Sequence, residues 1–115
     1  MRTTNDKEAP MVRIPTHGPP VHPGEMLNEE FLKPLGMTQT ALAAAIGLSF
    51  QNVNAIVNGR RGVTPDVALR LERLFGASAQ FWLNLQLAWD LYHEIHGPNA
   101  ARRRGIRRHP AVAKP

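Results

Sequence analysis

The chain has 115 residues, a net charge of +5 and no cysteine. That length suits one domain with tails, and the missing cysteines exclude disulfide scaffolds and cysteine-ligated metal sites. No apolar run reaches the length of a membrane span, and MRTTNDKEAP has no hydrophobic segment behind its charges, so neither a membrane helix nor a signal peptide is expected and a cytoplasmic location is.

Residues 1–21 are polar and proline-rich and read as a flexible segment whose one apolar cluster is Met11, Val12 and Ile14. A first helix is expected from Pro23 until Pro34 and Gly36 end it, with Met26, Leu27 and Phe31 inward. His22 precedes it, and Glu25, Glu29 and Glu30 suit its dipole. Thr38 should cap a second helix with Leu42, Ala43 and Ile46 inside. Gly47 marks a sharp turn, Ser49 caps a third helix, and Val53, Ile56 and Val57 form its inner face. Gln39, Leu42, Ala43, Ile46, Gly47, Val53 and Ile56 agree with a helix-turn-helix template, whose second helix enters the DNA major groove.

The outward residues of this unit are Ser49, Gln51, Asn52, Asn54 and Asn58. They are short, uncharged hydrogen-bonders of the kind that read base edges or hold phosphates. Gln51 and Asn54 can each pair bidentately with an adenine. Residues 31–65 hold Lys33, Arg60 and Arg61 and no acid, which makes one locally basic surface.

Thr64-Pro65 should start a fourth helix with Val67, Leu71, Leu74 and Phe75 inward and Gly76 as its stop. Ser78 should cap a fifth and longest helix reaching about His96, with Phe81, Leu85, Ala88, Tyr92 and Ile95 on one face. Trp82 and Trp89 flank that face on one side, and Leu87 and Leu91 on the other. The apolar arc spans roughly 220°, about twice what one small core requires. The excess predicts a second buried surface, most simply a homodimer seam, which puts Trp82, Leu87, Trp89 and Leu91 at a dimer or partner interface; the alternative is a helix sunk deeply between its neighbours. The domain is therefore placed at 22–96. The tail 97–115 holds six cations and no acid, reads as too charged and interrupted to pack, and leaves the rest of the chain at −1. His93-Glu94-Ile95-His96 pairs two histidines three apart with no third ligand placed by spacing, so no metal, no cofactor and no catalytic residue is expected.

Four stretches together carry a resemblance: HPGEML at 22–27, QTALAAAIG at 39–47, NGRRGVTPDVALRLERLFG at 58–76 and SAQFWLNLQLAWDL at 78–91. Over roughly residues 20–92 the chain resembles the HigA (VapI-like) antitoxins, within the lambda-repressor/Cro-like (XRE) helix-turn-helix class. The resemblance implies an all-α, five-helix domain, a homodimer, a palindromic double-stranded operator in its own promoter, and a HigB-like toxin partner of the RelE-like mRNA endonuclease type. It also implies that Gln39 fixes the first motif helix to the phosphate backbone, alongside its cap Thr38. Ser49, Phe50, Gln51 and Asn54 would face base edges, and Asn58, Arg60 and Arg61 would hold phosphates. Phe50 departs from the pattern: its ring either meets thymine methyls or folds back as core. The arginine-rich extension past Gly97 is not implied by the family. A stand-alone repressor without a toxin would share every one of these DNA-side residues.

Overall fold

The computed structural model describes residues 19–112. The Met11, Val12 and Ile14 cluster lies outside the described residues. Within them, all regular structure is helical, and no single helix is long and apolar enough to cross a membrane.

The first helix, α1, joins three contiguous pieces: Pro23–Leu27, a π-helical stretch Asn28–Leu32, and a last turn Lys33–Leu35. His22 caps it, with Nδ1 accepting the Gly24 N–H at 2.9 Å. The π stretch changes the expected inward face. Its wider turn brings Leu27 and Leu32, five residues apart, to the core together. Phe31, expected inside, is only half-buried.

Helix α2 spans Gln39–Ile46 and α3 spans Phe50–Val57, with axes bent by 119°. Gly47 makes the turn at φ 72°, ψ 32°, a left-handed conformation that other residues rarely adopt. Arg70 locks the same corner from α4 (Pro65–Phe75): its Nη1 donates to the carbonyls of Ile46 at 2.7 Å and Gly47 at 3.3 Å. Thr64 caps α4, which buries Val67, Ala68 and Leu71. Leu74, expected inside with Leu71, sits at the exposed edge instead.

Helix α5 spans Ala79–Ile95 and is capped by Ser78. Its deepest residue is Trp82, fully buried and in ring contact with Phe31 and Phe81. This corrects the placement of Trp82 on a dimer or partner interface. The aromatic side chains of α1 and of α5 itself enclose the indole, leaving it no surface for a partner. Ile95, expected on the inner face, is 58 % exposed.

Pro20 is buried and Val21 half-buried, so packing begins before residue 22. Past Gly97 the chain forms a short helix, α6 (Ala100–Arg104), rather than an unstructured tail. Arg103 folds α6 back on α5, with Nη1 donating to the Glu94 carboxylate at 2.7 Å and Nη2 to the Glu94 carbonyl. That guanidinium, with the Asn99 side chain, holds the Glu94 carboxyl below its usual range.

Candidate nucleic-acid interface

The interface is built from the starts of α2 and α3 and the loop after α3. Two hydroxyls set the helix starts. Thr38 Oγ1 accepts the Ala41 N–H and Ser49 Oγ accepts the Asn52 N–H, both at 3.0 Å. Each hydroxyl keeps its own hydrogen to donate outward, as a phosphate oxygen requires.

Gln39, Asn54 and Arg60, distant in sequence, come together. Asn54 Nδ2 donates to Gln39 Oε1 at 3.0 Å, and Arg60 Nη2 donates to Asn54 Oδ1 at 3.1 Å. Asn58 Nδ2 donates to the Asn54 carbonyl at 3.0 Å. This clasp ties the first residue of α2 to the middle of α3 and to the following loop. It occupies both ends of the Asn54 carboxamide. The Nδ2 group keeps a second hydrogen and Oδ1 a second lone pair, so Asn54 orients Gln39 and Arg60 while retaining one donor and one acceptor.

Gln51 is exposed and makes no side-chain hydrogen bond among the described residues. Beside it, Phe50 is 45 % exposed, so the ring does not fold back as core. Asn52 is half-buried, and its Oδ1 is shielded without a partner. Arg60 and Arg61 are exposed, and neither has an acidic partner among the described residues. Lys33 is paired with Glu29 at 2.8 Å, so the free positive charge of this surface sits in the loop.

The loop is held from below. The Arg60 and Arg61 N–H groups donate to the Ala55 carbonyl at 2.8 and 3.2 Å. The Val63 N–H donates to Gln86 Oε1 at 2.7 Å, and Gln86 Nε2 donates to Asp90 at 2.9 Å. Gln86 is a positioning residue that sequence reasoning missed. Its only signal is a polar side chain within FWLNLQLAW.

The HPGE segment has a steric reason. A Cβ on Gly24 would lie 1.8 Å from the Ile56 carbonyl oxygen, so only glycine lets α1 start against the last turn of α3. His22 stands beside it, 5 % exposed, with Trp89 edge-on at 4.9 Å. Burial lowers the His22 pKa against the opposing charges of Asp90 and Glu25, with His93 lowering it further. A neutral ring leaves Nδ1 free to accept the Gly24 N–H.

Trp89 also lines a cleft of about 420 Å³ with His22, Glu25, Asn28, Val57, Asn58 and Gly59. Farther along, His93 and His96 turn Nδ1 back to the carbonyls of Trp89 and Tyr92, at 2.9 and 2.7 Å. No group of three metal-ligating side chains forms among the described residues.

Comparison with known proteins places this arrangement. A family model described as helix-turn-helix matches residues 29–82. Virulence-associated protein I of Dichelobacter nodosus is 55 % identical over 73 residues, 64 % of this chain and 68 % of that protein. Antitoxin HigA-1 of Vibrio cholerae is 47 % identical over 74 residues, 64 % of this chain and 69 % of that protein. The chain belongs to the HigA antitoxin family. The solved Pseudomonas aeruginosa antitoxin HigA with higBA promoter superposes with TM-score 0.72 at 39 % identity, covering 80 % of this chain and 98 % of that one. Within the HigA fold, the Gln39–Asn54–Arg60 clasp therefore lies on the helix-turn-helix itself.

Proposed function

We propose that this HigA-family chain is an antitoxin that binds its own operator as a homodimer and neutralises a RelE-like mRNA endonuclease. The observation that carries the DNA side is the exposed Phe50–Gln51 pair beside the clasped Gln39, Asn54 and Arg60. Gln51 reads a base edge, and Phe50 meets thymine methyls. Thr38, Gln39, Ser49, Asn58, Arg60 and Arg61 hold phosphates on either side. The HigA of P. aeruginosa, solved with the higBA promoter, supports the reading. The chain acts by binding, in the cytoplasm, and performs no catalysis.

Dimerisation uses the outer face of α5. Leu87, Leu91 and Ile95 recur at every fourth residue and are 56, 50 and 58 % exposed. Exposed leucines at that spacing form an apolar ridge, which a two-fold partner buries against itself. The two α3 helices then enter major grooves about one helical turn, 34 Å, apart.

The test is binding to duplexes from the native promoter and to scrambled duplexes, with co-expression of the neighbouring open reading frame. Gln51→Ala is expected to cost on the order of 1–3 kcal/mol of preference for the native duplex. Unchanged preference would show that α3 is misassigned as the reading helix. Growth arrest by the neighbouring product, relieved by this chain, marks the antitoxin role. Promoter binding without such relief leaves a stand-alone repressor.

A further inference from the structure

The largest concentration of positive charge lies outside the helix-turn-helix. Arg102, Arg103, Arg104, Arg107 and Arg108 fall within seven residues, and all are exposed. Of these, only Arg103 has an acidic partner among the described residues. The helix-turn-helix region 31–65 carries Lys33, Arg60 and Arg61, and Lys33 is already paired. Four unpaired arginines so close together repel one another and lower their energy by meeting a polyanion.

Two features make this more than a solubilising end. The first is attachment. Arg103 fastens α6 to the Glu94 carboxylate and carbonyl, so the arginines start from a defined point and not from a free tail. The second is location. The half of α5 that carries α6 is the half whose Trp89 shares a cleft with Val57, Asn58 and Gly59, at the end of α3. Ile95 lies about 9 Å beyond Trp89 along the helix. Residues 105–112 extend at most about 29 Å farther. The arm therefore starts from the half of α5 that meets the end of α3 through Trp89. All five cations are arginine, whose planar fork pairs two-pronged with phosphate.

We propose that residues 102–108 are a second DNA contact, an arginine arm that grips the phosphates flanking the operator. It rests on the operator-binding reading above. Arg103 is the positioning residue, and Arg102, Arg104, Arg107 and Arg108 make the contacts. The arm supplies affinity without sequence information, because phosphate contacts fix placement and not base identity.

The experiment titrates the full chain into native and scrambled promoter duplexes, with and without about one helical turn of flanking duplex, between about 50 and 200 mM salt. In the test variant Arg102, Arg104, Arg107 and Arg108 are all changed to Gln. These side chains are exposed, so the helical signal and melting of the variant should match the parent. Each lost phosphate contact removes about 0.9 from the slope of log affinity against log salt. The expected slope is shallower by about 2–4, with affinity for the flanked duplex down about tenfold or more. The ratio of native to scrambled binding stays unchanged, and Lys at the same four positions restores the slope. A Gln variant with the parental slope overturns the arm, as does equal loss with and without flanking duplex. A parent that binds native and scrambled duplexes equally overturns the operator reading instead. The slope on scrambled duplex still decides the arm in that case.

Discussion

The two halves of α5 have similar apolar composition and meet different surroundings. The first half carries Trp82 and Leu85, both buried, with Phe31 of α1 and Phe81 of α5 against the indole. The second half carries Leu87, Leu91 and Ile95, each at least half exposed, and Trp89, covered on one side by His22. Trp82 and Trp89 are seven residues apart and lie on nearly the same flank. Their fates differ through position along the axis, not angle around it. Trp82 lies where α1 and the rings of α5 itself cover the helix, and Leu87, Leu91 and Ile95 lie where that cover has ended. An apolar excess summed around the helix cannot see that difference.

This contrast can be broken at either end. Trp82→Ala should have the largest effect, about 3–5 kcal/mol of unfolding free energy, because it empties a closed aromatic site. Urea denaturation at two protein concentrations should show the loss at both. A loss below 1 kcal/mol would mean that the indole is not the centre of the core.

Leu87→Asp with Leu91→Asp acts on the open half. The monomer should stay helical, since neither side chain is buried in it. Dimerisation should weaken by about 2–4 kcal/mol, the range of central interface residues. Sedimentation equilibrium reads this directly. A double variant that self-associates like the parent would move the seam off α5.

The smallest expected effect is on pH, at the junction of the two halves. His22 has its pKa held below the usual value of 6.5 by burial, so the folded state resists a proton that the unfolded chain accepts. Stability is therefore full above about pH 6.5 and falls as pH drops from there toward the folded pKa. Protonation also removes the Nδ1 acceptor from the Gly24 N–H, and losing such a cap costs about 1 kcal/mol. His22→Asn keeps a capping oxygen and should flatten this part of the stability–pH curve in thermal melts. A curve as steep as the parent's would assign the proton elsewhere.

Much of the site is legible residue by residue. The capping roles of Thr38 and Ser49 follow from hydroxyls one turn ahead of the N–H groups they accept, and the turn at Gly47 from its tolerance of positive φ. Local chemistry decides all three. The clasp through Asn54 is not legible, because its partners lie fifteen residues before it and six after it. Gln86 and Arg70 hold their loops from other helices, across twenty-three and twenty-four residues. Leu32 joined the core, with Phe31 half-buried against it, because a π stretch altered the period that sequence patterning assumes.

By itself, then, the sequence determined the five helices before Gly97, the hydroxyl caps and glycine turns between them, and a polar, uncharged face on the third helix. These depend on neighbours within about one turn, whose side chains act on their own backbone. Tertiary structure alone decided which tryptophan is core, which side chains Asn54 ties together, and which residues hold the arginine loop. Burial and hydrogen bonding of those groups depend on how far each helix extends beyond the others, and no periodicity along one chain segment records that.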